Sequence, residues 1–321
     1  MVLLSLLWLL ILAVVLVNGW TDAPNAIATA VASGAIPFRR AVILSAMCNL
    51  MGVCLFATLS PAVADTVYAI ADFSGDSRAA LTALTAALLS ILFWAFVAWI
   101  FGLPTSESHA LVAGVTGAAV ALQGSLSAIR WEAWGKVLFG LVLSLVAGAL
   151  LGGLAARSLP RHPHYRLAQI LGAGLMSILH GAQDGQKFLG IFYLGITLTQ
   201  NRPCAFTAPP LWRTGLVALT MALGTLMGGR RIIDTVCREM TSLSPREGFA
   251  ADLGAGLCLL SATLFGLPVS TTHAKTAAIL GAGMVSDQGA NFRVANRIST
   301  AWVLTFPCCF ALGYLAARLS L

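Results

Sequence analysis

Residues 17–31 read VNGWTDAPNAIATAV, and the fold turns on how this stretch is understood. It follows the apolar run MVLLSLLWLLILAVVL (1–16), which is most of a membrane helix, and interrupts it with Asn18, Gly19, Asp22, Pro24 and Asn25. Proline removes a backbone hydrogen bond and crowds the preceding helical turn. A carboxylate surrounded by hydrocarbon is costly and marks an ion or proton pathway. A membrane segment that accepts both is expected to be broken, with its freed backbone groups lining a cavity or buried in protein.

The rest of the chain supports a membrane setting. Of 321 residues, 58% are hydrophobic and 10% charged, against roughly 25% charged in a soluble domain. Apolar runs recur at 41–60, 79–101, 134–157, 211–228, 250–266 and 297–319, each near the ~20 residues that span a bilayer. The first run has no basic flank and no small-residue cleavage site, so it is expected to be retained rather than removed as a signal peptide. The composition therefore predicts an all-α polytopic protein with about 10–12 segments in the lipid bilayer. The formal charge of +7 does not point to nucleic acid, because the basic residues concentrate in short loops, as membrane orientation demands. Seven cysteines, Cys48, Cys54, Cys204, Cys237, Cys258, Cys308 and Cys309, show no CxxC pairing and read as small hydrophobes.

An internal repeat organises the chain. WTDAPNA around Asp22 matches AQDGQKF around Asp184 at an offset of 162, and FGLPTSESHA around Pro104 matches FGLPVSTTHA around Pro268 at an offset of 164. LAAR closes both halves at Arg157 and Arg318. The expected units are a first repeat, 1–157, a cytoplasmic linker, 158–166, and a second repeat, 167–321. Five apolar segments per half invert the second copy. Charge agrees: loop 61–78 carries Asp65, Asp72 and Asp76 with Arg78, whereas its counterpart 229–248 carries Arg230, Arg231, Arg238 and Arg246. Placing the second loop in the cytoplasm puts both termini outside. Inner loops then hold Arg39, Arg40, Arg157, Arg161, Arg166, Arg230, Arg231, Arg238, Arg246, Arg293 and Arg297, and the outer side holds Arg78, Arg130, Lys136, Arg202, Arg213 and Arg318. Inverted repeats with interrupted helices are the architecture of secondary transporters, which bind substrate and ions near the midplane.

Two motif pairs carry the chemistry. Asp22 and Asn25 in one half, and Gln183, Asp184 and Lys187 in the other, are expected at helix breaks, where amides attract anions and carbonyls with carboxylates hold cations. A kinked packing helix is the plainer explanation of one Asn or Ser; two repeat-related aspartates argue for function. The second pair, PTSESHA and PVSTTHA, starts a helix after proline. Its hydroxyls either cap free amides or coordinate a tetrahedral oxyanion. His109 and His273 take equivalent places, suited to fixing a re-entrant hairpin or to proton transfer. His180, opposite Asn18 at the same offset of 162, is placed to orient the second motif, while His162 and His164 read as solvated linker residues.

At these residues the sequence resembles the inorganic phosphate transporter (PiT) family, which includes sulfate permeases. That family carries a Gly-x-Asn-Asp-like signature in each half, here NGWTDAPNA and HGAQDGQKF, followed by a Pro-x-Ser-Thr-Thr-His motif. The resemblance covers essentially the whole chain. It implies a homodimer in the cell membrane that is not an enzyme and needs no cofactor, moving inorganic phosphate, or sulfate, with Na⁺ or H⁺. Carried over by position, Asn25, Ser106, Ser108, Lys187, Ser270, Thr271 and Thr272 are candidate substrate contacts. Thr21, Asp22, Glu107, Gln183 and Asp184 are candidate ion-coupling residues, with Na⁺ at Asp22, Asn25 and Asp184, and with His109 and His273 supporting.

Departures from the family are informative. Thr21 and Gln183 stand where it has asparagine, Lys187 where it has Asn, and Glu107 where it has Thr. One half has gained a carboxylate and the other an ammonium, and a buried pair is tolerable where a lone charge is not. Glu107 and Lys187 are therefore expected to face each other or share the anion site, with Lys187 standing in for one bound Na⁺; a purely structural ion pair is the other reading. Lys275, one turn after Thr271, either adds field to the anion site or snorkels to an interface. Phosphate can donate a hydrogen bond at neutral pH and sulfate cannot, so an acceptor such as Glu107 favours phosphate. From other classes, an intramembrane aspartyl protease would use Asp22 and Asp184 as a dyad, but twinned hydroxyl motifs serve no such purpose. A channel would differ in showing no counterflow or ion-driven accumulation.

Overall fold

A computed structural model describes residues 2–102, 105–161, 164–200, 210–234, 239–287 and 289–321. Pro104, His162, Arg202, Cys204, Cys237 and Arg238 lie outside the described residues. The described chain is helical, with one isolated bridge between Ala71 and Ile129. The first half contains α1 (Val2–Thr21), α2 (Pro24–Ala32), α3 (Phe38–Leu59), α4 (Ala62–Tyr68), α5 (Ser77–Ile100), α6 (Glu107–Gln123) and α7 (Trp131–Ser158). The second contains α8 (Arg166–Gln200), α9 (Leu211–Met227), α10 (Arg230–Ile233), α11 (Pro245–Leu264), α12 (Thr271–Met284) and α13 (Phe292–Ser320). Six described helices are long and apolar enough to cross a membrane. On α7, Phe139, Val142, Val146, Leu150 and Leu154 recur at helical spacing and are exposed, which is the face hydrocarbon would cover.

The elements of the second half repeat those of the first in order, and the halves exchange partners. Helix α3 packs on α8 while α9 packs on α1; α6 packs on α13 while α12 packs on α7; α4 lies on α8 while α10 lies on α2. The crossings are close because repeat-related glycines stand there. A Cβ on Gly19 would lie 2.2 Å from the Met221 carbonyl oxygen, and one on Gly181 would lie 2.3 Å from that of Asn49. Close approach of this kind is what small residues give to membrane helix pairs.

Loop contacts define two ends. At the linker end, Arg166 Nε donates to the Ala35 carbonyl at 2.9 Å, Arg246 donates to the carbonyls of Ala156 and Leu159, and Thr241 donates to that of Gly289. At the far end, Arg130 pairs with Asp72 at 2.6 Å, and the Asp72 amide donates to the Ala128 carbonyl. Helix α7 separates them, its 28 residues rising about 42 Å at ~1.5 Å each. The α4–α5 loop is thus at the far end and its α10–α11 counterpart at the linker end.

The break at VNGWTDAPNA is present: α1 stops at Thr21 and α2 starts at Pro24. The Asp22 and Ala23 amides both donate to the Asn18 carbonyl, and Pro24 has no amide to offer the next carbonyl. The break expected around Asp184 and Lys187 is not found, since α8 runs unbroken from Arg166 to Gln200. The reason is local. Gly185 and Gln186 replace Ala23 and Pro24, so every backbone donor of the helix is kept. Gly185 is tolerated because a Cβ there would meet Val53 at 2.5 Å.

Helices α5 with α6, and α11 with α12, form antiparallel hairpins whose tips reach the middle of α8. Ser106 caps α6 by accepting from the His109 amide at 3.4 Å, and Ser270 caps α12 by accepting from that of His273 at 3.2 Å. Both serines therefore do the capping work that their position after proline allows.

Candidate functional site

The two hairpin tips, the α1–α2 break and the middle of α8 converge on one buried polar cluster. Asp22, Asn25, Glu107, Ser108, Asp184, Lys187, Thr271 and Thr272 are each no more than 5% exposed. The hairpins cross over to the opposite half. Ser108 Oγ of the first donates to Asp184 Oδ1 at 3.3 Å, and the Thr272 hydroxyl of the second donates to Asp22 Oδ1. Thr271 stands 3.5 Å from Asp184 Oδ2.

Lys187 and Asn25 occupy the same place in the two half-sites. Asn25 Nδ2 donates to Asp22 Oδ1 at 3.1 Å and Thr272 Oγ1 at 3.2 Å. Lys187 Nζ donates to Asp184 Oδ1 at 2.7 Å and Ser108 Oγ at 2.8 Å, the repeat counterparts of those atoms, and also to the Val269 carbonyl at 2.5 Å. Glu107 is not the direct partner of Lys187. Its Oε1 accepts from Thr21 Oγ1, on the Asp22 side of the cluster. The expected face-to-face pair is therefore replaced by Lys187 with Asp184, while Glu107 and Lys187 border the same cluster.

Gln183 turns away from the aspartates. Its Nε2 donates to Thr263 Oγ1 at 2.9 Å and the Leu267 carbonyl at 3.3 Å, holding the second hairpin as Thr21 holds the first. His109 and His273 meet edge to face with ring centroids 4.6 Å apart, and are flanked by Phe306 and Trp302. The repeat thus brings its two histidines together, with no hydrogen bond from either ring to the carboxylates.

Two contributors were less visible in the sequence. Asn18 Nδ2 bridges the aspartates, 3.4 Å from Asp22 Oδ2 and 3.1 Å from Asp184 Oδ2. Asn49 receives His180, whose Nδ1 is 2.9 Å from Asn49 Oδ1 and whose Nε2 is 3.3 Å from Asp184 Oδ2. Asn18 had a signal, as the repeat partner of His180; Asn49 had only its polarity within an apolar run. Asp22, Asp184 and His180 can present ligand atoms within 4.8 Å of one another, the geometry of a cation site. Asn18 Oδ1, Asn25 Oδ1 and Glu107 Oε2 are buried and have no hydrogen-bond partner among the described residues.

The model of the Phosphate transporter family matches twice, over residues 18–162 and 157–313. A probable low-affinity inorganic phosphate transporter of Bacillus subtilis is 32% identical over 94% of this chain and 92% of its own length. The chain belongs to the phosphate transporter family. A second relative in it, from Rhizobium meliloti and named in the same words, is 34% identical over 94% and 92% of the two chains. One from Mycobacterium leprae is 34% identical over 92% of this chain and 73% of its own. Among solved structures, one titled "The sodium-dependent phosphate transporter" superposes with a TM-score of 0.87 over 99% of both chains at 20% identity, a likeness of fold. The double family match agrees with the repeat read from the paired motifs, and the family's helical architecture is that of a multi-pass membrane protein.

Proposed function

We propose that this chain carries inorganic phosphate across the cell membrane by symport with Na⁺, bound at the cluster formed by Asp22, Asp184 and the hairpin tips. One observation carries the reading: three buried carboxylates, Asp22, Glu107 and Asp184, share a site with one ammonium, Lys187. If all are ionised the site holds two uncompensated negative charges. Leaving them in a low-dielectric interior is costly, and adding an oxyanion deepens the cost. A cation must therefore enter with the anion, which makes transport coupled by electrostatics alone. Asp22 Oδ2, Asp184 Oδ2 and the unpartnered amide oxygen of Asn18 offer the oxygen ligands that Na⁺ takes in transporter midplanes. Ser108, Thr271, Thr272 and Lys187 are the donors for phosphate.

In this reading Lys187 is a resident cation. Carboxylate, hydroxyl and carbonyl oxygens surround its ammonium as they would a bound ion, so this half-site needs no ion of its own. The arginine-rich linker end is cytoplasmic, both termini are outside, and the chain works as a homodimer. Phosphate is preferred over sulfate because Glu107 adds an acceptor beside the site. The test is radiolabelled phosphate uptake into proteoliposomes with Na⁺ and H⁺ gradients imposed separately and sulfate as competitor. Uptake driven by Na⁺ and resistant to sulfate is expected. A response to the H⁺ gradient alone would replace Na⁺ by protonation of a site carboxylate, and no uptake under either gradient would overturn the reading.

A further inference from the structure

One turn from the phosphate cluster, towards the linker end, lies a second buried polar group that transport as described does not use. It joins Thr29 of α2, Gln169 of α8, Asp252 of α11 and Lys275 of α12, each at most 1% exposed. Thr29 follows Asn25 along α2 and Lys275 follows Thr271 along α12, in each case by four residues, so these two side chains of the layer lie one turn on from the site. Gln169 is three residues from Arg166, which is anchored at the linker end. The layer therefore separates the site from that end.

Its centre is a carboxylate held as a ligand would be. Asp252 Oδ1 accepts from Lys275 Nζ, and from Thr29 Oγ1 at 3.0 Å; Asp252 Oδ2 accepts from Gln169 Nε2 at 2.7 Å. Thr29 Oγ1 accepts in turn from Gln169 Nε2 at 3.0 Å and Lys275 Nζ at 3.1 Å. Ammonium, hydroxyl and amide converging on two oxygens is a donor set for an oxyanion.

The repeat supplies the control. The counterparts of Thr29, Gln169, Asp252 and Lys275 are Ile191, Leu7, Leu88 and Leu111, all at most 1% exposed and all in one apolar core. The same architecture closes the far end of the site with aliphatic side chains alone. Charge is thus not required to pack this layer, and a buried ion pair is a poor means of stabilising it.

We propose that Lys275, Thr29 and Gln169 form a second oxyanion site on the linker side, filled by the Asp252 carboxylate while the layer is closed and by inorganic phosphate in transit. Phosphate displaces Asp252 from Lys275, so the layer opens when an anion is present to take over the ammonium. This rests on the preceding reading only for the identity of the anion.

Equilibrium binding of radiolabelled phosphate to the purified full chain in detergent with NaCl tests it. Wild type is expected to bind about one phosphate per chain, and Asp252→Asn, which removes the competing carboxylate charge from the cradle at constant size, about one more. An unchanged stoichiometry in Asp252→Asn overturns the second site. Absence of binding to wild type instead overturns the central reading, and the gain in Asp252→Asn still decides the cradle. A second variant, Thr29→Ile/Gln169→Leu/Asp252→Leu/Lys275→Leu, copies the far-end layer. It is expected to keep the central phosphate and to lose uptake by roughly tenfold or more. Uptake at the wild-type rate would overturn the proposal.

Discussion

Asn25 and Lys187 hold equivalent neighbours with different chemistry. Each bonds the aspartate three residues before it and a hydroxyl from the opposite hairpin, yet one is a neutral amide and the other an ammonium. The backbone around them differs in the same sense, broken at Pro24 and continuous through Gln186. On the proposed reading, the half-site whose residue is neutral leaves its carboxylate to be balanced by an incoming ion. Where the residue is charged, the balance is covalently built in. Two copies of one fold unit would in this way divide the proposed site into a part that waits for a cation and a part that already has one.

The comparison breaks most visibly at the aspartates. Asp184→Asn leaves the Lys187 ammonium buried without its carboxylate, a change worth about 3–5 kcal/mol when one partner of a buried pair is lost. Loss of uptake and a markedly lower unfolding temperature in detergent are expected. Asp22→Asn strands no ammonium, so it should abolish Na⁺-driven uptake with a clearly smaller drop in unfolding temperature. Equal destabilisation by the two variants would deny the difference between the half-sites.

Gly19→Ala and Gly181→Ala test whether the halves depend on matched crossings. Each new methyl would lie well inside contact distance of a backbone oxygen, and overpacking of this sort costs about 1–3 kcal/mol. Comparable losses of folded yield on size exclusion are expected from both.

Lys187→Asn makes the second half-site a copy of the first. Uptake should persist with a steeper Na⁺ dependence, the Hill coefficient rising by about one as an ion replaces the resident ammonium. An unchanged Na⁺ titration would make Lys187 a structural partner of Asp184 only.

The smallest effect lies at the surface. Partial burial of Asp72 works to raise its pKa, but hydrogen bonds from Ser74 and the Arg130 guanidinium outweigh it and hold the carboxyl below the usual value. Because the folded-state value is depressed, the pair contributes above the unfolded value of about 3.9 and is lost as pH falls through the folded one. Screening limits an exposed pair to ~0–1 kcal/mol. Asp72→Ala should leave uptake at neutral pH unchanged and lower the unfolding temperature slightly at pH 7, by an amount that shrinks as pH is taken below about 3.9.

Much of this architecture was legible before any coordinate. The runs at 41–60 and 134–157 became α3 and α7 nearly residue for residue, because about 20 apolar residues have one stable form in a bilayer. The spacing of Asp22 from Asp184 and of the two Ser/Thr–His motifs located the half-sites. The break at Asp184 was expected by analogy with its twin and is missing, since the proline that forces it in one copy is a glutamine in the other. Of the two arrangements open to Lys187 and Glu107, facing each other or sharing one site, the contacts exclude the direct pair. A charge match across the repeat suggested Glu107, whereas the helix itself offers Asp184 three residues away.

Asp252 shows where sequence reading ends. Nothing local distinguishes it from a helix-surface aspartate, and Thr29, which donates to it, is 223 residues away. By itself the sequence determined the membrane setting, the repeat and the residues that carry charge into the bilayer, because hydropathy, spacing and residue type are local and additive. Only the tertiary structure decided which charge faces which. Pairing in a low-dielectric interior depends on distances of a few ångströms between helices remote in the chain, and the exchange of hairpins between the two halves sets those distances.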